Sequence, residues 1–435
     1  MQSKHDQNQA TNVGQVPNGR PARTQVVVTG MGALTPLGNS VQEMWDGLLA
    51  GRSGAGPISV ADSSNYPCQI IGELKGFDAL DYISRKQVRQ MPTAAQLALI
   101  TSEQALNDAG LDPSNIDRDR VGVIIGTAGG SAMEETERAT RQLENGRGRL
   151  SPFQVLRFWP NMPAFYVSQA YGFRGYNATL CTACAASTQA IGDAVRAIQR
   201  GEADVMLAGG TEYLISETVF AGFAAMRALA TSYNDDPTRA MRPFDADREG
   251  FIAGLGAATL ILESLDHALA RGAHIYAEVL GSGVSNDAFH LIAPDPEGGG
   301  AALAMRRALS DASVDPISVD YINAHGTSTP LGDVAETKAI KIVFGENAYD
   351  TPISSTKSMV GHMMGAAGAV EAIACIMTLN DGVIHPTINY ETPDPECDLD
   401  YVPNVARKAD VNVALSNSFG LGGQNACVVL GRFDK

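Results

Sequence analysis

Short runs of β-branched and aliphatic residues, each closed by glycine, punctuate the chain from residue 24 onward. Thr24-Gln-Val-Val-Val-Thr-Gly-Met-Gly opens the pattern. Arg120-Val-Gly-Val-Ile-Ile-Gly, Ala203-Asp-Val-Met-Leu-Ala-Gly-Gly and Gly256-Ala-Ala-Thr-Leu-Ile-Leu-Glu repeat it. Apolar runs of this kind predict buried strands that turn at the glycines. Between them lie longer stretches with helical spacing. One runs from Met91 to Ala109 and stops at Gly110, a residue suited to the left-handed turn that ends a helix. Another runs from Ala185 to about Arg200, with Ile191, Val195 and Ile198 on one face. Alternating strands and helices predict α/β architecture. Residues 1–23 differ: they are polar, rich in Gln, Asn, Gly and Pro, and read as a flexible tail.

The pattern also echoes itself. A small-residue turn at Cys184 opens one helix; Gly365-Ala-Ala-Gly-Ala-Val-Glu-Ala-Ile-Ala-Cys-Ile opens a similar one after Ser354-Ser-Thr-Lys. Phe251-Ile-Ala-Gly-Leu-Gly-Ala-Ala-Thr-Leu-Ile-Leu resembles Phe419-Gly-Leu-Gly-Gly-Gln-Asn-Ala-Cys-Val-Val-Leu. Two half-chains of one topology, 24–274 and 275–435, would account for both echoes.

Composition narrows the function. At ~150 residues per domain, 435 residues suggest two or three domains. A hydrophobic fraction of 44% argues against disorder. The charged fraction is low, 18% against a usual ~25%, and there are 45 glycines, which suits tightly packed layers. Net charge is 32 − 48 = −16, which disfavours general binding to nucleic acid or anionic membrane. No apolar run is long enough to span a bilayer, and no secretory signal opens the chain. Six cysteines in this length are no disulfide framework, so a reducing, cytoplasmic compartment is expected.

Candidate chemistry starts at Cys184, in Cys181-Thr-Ala-Cys-Ala-Ala-Ser. A thiol at a helix N-terminus faces unpaired N–H groups and the positive dipole end, which favours thiolate. The same residues also fit a small buried cysteine, a redox dithiol with Cys181, or half a zinc site, although no second ligand pair completes the last. His325 in Asn323-Ala-His-Gly-Thr-Ser-Thr-Pro and His362 in Ser354-Ser-Thr-Lys-Ser-Met-Val-Gly-His follow predicted strands, where open α/β sheets place ligands. Each alone also fits a structural histidine. Lys357 lies five residues before His362 and, alone, fits a solvated surface lysine. His5, His267, His274, His290 and His385 lack such contexts. There is no Walker pattern and no G-x-G-x-x-G after the first strand.

Thr182-Ala-Cys184, Asn323-Ala-His325-Gly-Thr-Ser-Thr-Pro, Ser355-Thr-Lys357-Ser-Met-Val-Gly-His362 and Asn417-Ser-Phe-Gly-Leu-Gly-Gly together resemble the four signature blocks of β-ketoacyl-carrier-protein synthases. The likeness is strongest to the elongating, synthase 2 type and covers about Thr24 to Leu430. It implies a thiolase-like fold, two similar α/β halves in a five-layered αβαβα core, working as a homodimer. It implies chain elongation by decarboxylative condensation, with acyl- and malonyl-loaded acyl carrier protein as partners and no metal or redox cofactor. Cys184 would carry the acyl group. His325 and His362 would stabilise the enolate, and the backbone N–H groups of Cys184 and Leu421 would hold the oxyanion. Lys357, paired with Glu371, would orient and polarise. Thr327 and Thr329 would bind the pantetheine arm; Phe419, Leu421 and Gly129 would line the acyl site. Lys86, Arg89 and Arg227 match carrier-docking positions.

Departures from the family pattern matter too. Leu421 stands where a gating phenylalanine is usual, Gly129 where an apolar tunnel residue is usual, and Gln90 where a docking lysine is usual. The first two predict a wider tunnel, open to long or bulky acyl chains. Cys181 is also unusual and reads as packing. A polyketide-like or specialised-lipid ketosynthase remains an alternative, as does a non-catalytic chain-length partner, which would lack the nucleophile. A degradative thiolase would place a second cysteine in the loop that reads Asn417-Ser-Phe-Gly here, and a starter-type synthase would carry Asn at position 362.

Overall fold

The computed structural model describes residues 23–146 and 149–433, so the predicted tail lies almost wholly outside the described residues. The strands expected from the apolar runs form at Val26–Leu34, Val121–Gly126, Val205–Glu212 and Gly256–Ser264. The expected helices form at Thr93–Asp108, Ala186–Gln199 and Ala367–Asp381. Strand Val26–Leu34 is buried along its whole length, which is why its sequence shows no apolar–polar alternation.

Ten strands make one sheet. Across it they run Ile353–Ser354, Tyr321–Asn323, Val413–Gly420, Gln424–Gly431, Ala277–Asn286, Val26–Leu34, Gly256–Ser264, Val205–Glu212, Val121–Gly126 and Asn177–Leu180. Each group of five repeats one plan. In each, the first strand of the half pairs antiparallel with the fifth, and the fifth antiparallel with the fourth. The fourth then pairs parallel with the second, and the second parallel with the third. Among the described residues, the strands of the two groups pair through Val27 opposite Glu278 and Val28 opposite Ala277, and an isolated bridge joins Ala253 to His362.

Helices complete the layers. Thr93–Asp108 covers strands Val26–Leu34 and Gly256–Ser264 on one outer face. Gly299–Ala312 covers Ala277–Asn286 and Gln424–Gly431 on the other. Between the half-sheets lie Ala186–Gln199 and Ala367–Asp381, packed on each other and on strands of both halves. Their buried faces are Ala190, Ile191, Ala194 and Val195 against Ala369, Val370, Ala372 and Ile373. This is the αβαβα sandwich of the thiolase-like fold, built from two similar halves.

Glycines set the layer spacing at matching places. A Cβ on Gly32 would lie 2.1 Å from the Thr101 carbonyl oxygen, and one on Gly283 would lie 2.2 Å from that of Ala304. Each outer helix rests on bare backbone of the first strand of its half.

Gly283→Ala is therefore expected to destabilise the protein by about 2–3 kcal/mol, since backbone must move to admit the methyl. Gly222→Ala, in helix Glu217–Ala225 with open space around the new methyl, is expected to be neutral or stabilising by at most about 1 kcal/mol. Equal melting temperatures in the two variants would contradict this account of the spacing.

Candidate active site

Two sharp elbows carry the candidate chemistry. After strand Asn177–Leu180 the chain turns through Ala183 at φ +49°, a short 3-10 turn over Ala183–Ala185, and the helix Ala186–Gln199. Cys184 sits in that turn. After strand Ile353–Ser354 it reaches Met364 at φ +47°, a 3-10 turn over Met364–Ala366, and the helix Ala367–Asp381. Left-handed backbone at a non-glycine residue costs roughly 1–2 kcal/mol, so the surrounding packing must enforce it. The enforcement is crosswise. Gly420, at the end of a second-half strand, approaches the first elbow: a Cβ there would lie 3.0 Å from the Thr182 oxygen. Gly210, in a first-half strand, approaches the second: its Cβ would lie 2.5 Å from the Gly365 oxygen.

This crossing brings the sulfur to the rings. Cys184 Sγ lies 2.9 Å from His362 Nε2, and the His325 and His362 ring centroids are 5.5 Å apart at 84°. Sγ and one ring nitrogen from each histidine lie within 4.8 Å of one another. His362 Nδ1 accepts the Met364 N–H at 3.3 Å, which assigns the ring proton to Nε2, facing the sulfur. Phe251 packs edge-on against His362, and Phe419 lies 5.8 Å from the His325 ring. Burial holds both imidazoles well below the usual histidine pKa, and the Lys357 ammonium pushes them the same way. Both rings are therefore neutral.

The thiol departs from the sequence-based expectation. A helix-N-terminal cysteine was expected to favour thiolate. Instead burial pushes Cys184 up to about 11, despite the lowering influence of Lys357 and of the Leu421 N–H that hydrogen-bonds it. Desolvation outweighs the electrostatic help, and Glu212 and Glu371 add to it. Lys357 is not a surface lysine: it is 1% exposed, with its ammonium on the equally buried Glu371 carboxylate. Burial raises Glu371, and Lys357 pulls it back.

Other expected residues fall in varied places. The Thr327 and Thr329 hydroxyls are 3.0 Å apart, just C-terminal to His325. Leu421 is partly exposed, and a Cβ on Gly129 would meet nothing within 4 Å. Lys86 and Arg89 are exposed on helix Arg85–Gln90, and Arg227 is exposed in a left-handed turn after helix Glu217–Ala225. All six cysteines are free, Cys181 exposed and Cys184 buried. No helix among the described residues is long and apolar enough to cross a membrane.

Sequence reasoning missed Glu336. Its carboxylate accepts the His325 N–H at 2.8 Å, the Gly326 N–H at 2.7 Å and the Asn417 side-chain amide at 3.2 Å. It fixes the backbone that carries His325. A glutamate on a buried helix face, between Ala335 and Thr337, was the available signal. His385, assigned no role, lies in a buried polar network: its Nε2 accepts from the Thr356 hydroxyl at 3.0 Å, next to Lys357.

Profiles for the N-terminal domain of β-ketoacyl synthases match residues 23–268, and those for the C-terminal domain match residues 276–391. A 3-oxoacyl-[acyl-carrier-protein] synthase 2 from Synechocystis is 47% identical over 94% of this chain and 99% of its own. One from Staphylococcus aureus is 48% identical, with the same coverage. Among solved structures, a type II polyketide ketosynthase in complex with its acyl-carrier protein and bound to a hexaketide superposes with a TM-score of 0.86 at 36% identity, over 95% of this chain and 100% of that one. The ishigamide ketosynthase/chain length factor gives 0.89 at 37%, over 95% and 100%. A β-ketoacyl synthase from Burkholderia phymatum gives 0.88 at 38%, over 94% and 100%.

Iodoacetamide labelling of Cys184, followed by peptide mass mapping, is expected to be slow at pH 7 and to rise until the thiol titrates near 11. Lys357→Met removes the lowering charge and leaves the Glu371 carboxylate unshielded, so the midpoint should move higher. A wild-type midpoint below pH 8 would show that burial does not dominate.

Proposed function

The chain belongs to the β-ketoacyl synthase family, and on that premise we propose how its residues carry out the elongating 3-oxoacyl-[acyl-carrier-protein] synthase reaction of fatty acid biosynthesis. The observation that carries the reading is the buried contact between the Cys184 sulfur and the His362 ring, with the His325 ring beside it.

In the first step Cys184 Sγ attacks the acyl thioester on acyl carrier protein. The sulfur–acyl bond forms, the carrier thiol leaves, and the proton lost from Cys184 ends on that thiol. The resting thiol is protonated at neutral pH, so the exchange needs no net base. The oxyanion forms where the Leu421 N–H already addresses the sulfur, with the Cys184 N–H as its second donor. Malonyl-loaded carrier follows, its pantetheine arm held by Thr327 and Thr329. Its carbon–carboxylate bond breaks, CO₂ leaves, and the electron pair becomes an enolate. The neutral His325 and His362 rings each offer one N–H to that oxygen. Placed donors of this kind contribute roughly 3 kcal/mol each. The enolate carbon then attacks the acyl-Cys carbonyl, forming the new carbon–carbon bond and expelling the Cys184 thiolate, which takes one proton from solvent to return to the resting thiol. Lys357, neutralised by Glu371, orients and polarises; an ammonium is no base.

Further parts of the reading have their own support. Lys86, Arg89 and Arg227 offer exposed positive charge on a chain of net charge −16, suited to an acidic carrier protein. A homodimer is supported by the open edge of strand Asn177–Leu180 and by exposed Val155, Trp159 and Phe165 nearby in the chain. The halves divide near residue 275, as 24–274 and 275–435. The setting is cytoplasmic, consistent with six free cysteines. Gly129 and Leu421 leave room for long or bulky acyl chains. The type II polyketide ketosynthase and the ishigamide ketosynthase/chain length factor among the structural neighbours favour one second reading, a specialised chain-building pathway. Weighing the products from carrier proteins loaded with acyl groups of graded length separates the two.

His325→Ala should still form a mass-detectable acyl adduct on Cys184, yet release CO₂ from malonyl-carrier protein roughly 10²–10³-fold more slowly. Condensation that survives in Cys184→Ala would remove the basis of the mechanism. Lys86→Glu with Arg89→Glu should raise KM for carrier-bound acyl groups and leave kcat nearly unchanged. Unaltered kinetics would reject that docking face.

A further inference from the structure

The two elbows differ in one respect that the reaction does not explain. Ala183 and Met364 are counterparts in φ and in the turn that follows, so Gly365 occupies in the second elbow the place of Cys184 in the first. It has no side chain, and its N–H is already taken. Strand Val205–Glu212 ends on Glu212, which is fully buried. Glu212 Oε2 accepts the Ala128 N–H at 2.6 Å and the Gly365 N–H at 3.1 Å. Its Oε1 accepts the Gly129 N–H and the Thr127 hydroxyl, each at 3.2 Å. Four donors converge on this carboxylate, and among the described residues no cation pairs with it.

We propose that Glu212 is a positioning residue: a built-in anion that fills the donor pocket of the second elbow and ties the His362 turn to the loop bearing Gly129. The proposal rests on the reading of Cys184, His325 and His362 as the reacting groups. The crosswise logic is the same at both elbows. The strand ending at Gly420 delivers the Leu421 N–H to the first elbow; the strand ending at Glu212 delivers a carboxylate to the second. Gly365 is three residues beyond His362, whose Nδ1 accepts the N–H of Met364. Gly129 borders open space at the acyl site. One side chain therefore fixes the backbone behind a ring that meets the sulfur and the backbone of the acyl wall. A glutamine of equal size cannot replace it, because its NH₂ would face two of the N–H or O–H donors. Burial raises the carboxyl to about 7, while the hydrogen bonds from Ala128, Gly365, Gly129 and Thr127 pull it down and favour the charged form.

The test compares wild type with Glu212→Gln, Glu212→Ala and Thr127→Val. Condensation of acyl- with malonyl-carrier protein is measured beside iodoacetamide labelling of Cys184 and thermal melting. Glu212→Gln should lower kcat about 10–100-fold with KM little changed. Its Cys184 should label at least as fast as wild type, because a charge that raises the thiol is gone. A merely structural defect would lower the melting temperature in step with kcat and open the enclosed sulfur to labelling several-fold faster at every pH. Glu212→Ala should be inactive and regain activity with acetate, whose carboxylate enters the vacated donor pocket, but not with chloride at equal ionic strength. Thr127→Val, which removes one donor of four, should fall about 3–10-fold and decides the matter if Glu212→Ala does not fold. Wild-type rates in Glu212→Gln and Thr127→Val, or a folded Glu212→Ala that acetate leaves inactive, would overturn the proposal. Wild-type protein that fails to condense at all would overturn the reading of the reaction instead.

Discussion

Everything at the site depends on backbone meeting backbone without side chains between. Gly210 against Gly365, and Gly420 against Thr182, let strand ends of one half reach the elbow of the other. That contact holds two left-handed non-glycine residues in place and sets the 2.9 Å between sulfur and ring. A Cβ at Gly210 would force the Gly365 backbone to move, and one at Gly420 would press the Thr182 turn by a few tenths of an ångström. Hydrophobic burial then fixes the arrangement, since the two central helices are packed within the same core as the half-sheets.

Much of this was legible in the sequence, for identifiable reasons. Strands buried on both faces write themselves as unbroken apolar runs, so Val26–Leu34, Val121–Gly126 and Val205–Glu212 were visible. The helical period of Ile191, Val195 and Ile198 placed the helix behind Cys184. The repeat was visible as two small-residue helix starts, Ala185-Ala186-Ser187 after one elbow and Ala366-Ala367-Gly368 after the other. Each signal is local and carried by side-chain type.

What stayed hidden is set by long-range geometry. The sequence context of Cys184 shows a helix N-terminus and predicts thiolate; it does not show that the sulfur is enclosed, which reverses the balance. Lys357 taken alone fits a surface lysine; only the family resemblance pairs it with Glu371, and the two lie together inside the core. Glu212 stands between Thr211 and Tyr213, and Glu336 between Ala335 and Thr337, so their importance lies in which backbone N–H groups converge on them.

The seam between the half-sheets, two residue pairs wide, has a mechanical consequence. So narrow a join transmits little torque, and the paired inner helices act as the gauge block between the halves. Their alanines and glycines leave no slack. A Cβ on Gly368 would lie 1.9 Å from the Thr188 hydroxyl of the facing helix, so one added methyl there pushes apart the two helices and the elbows that open them.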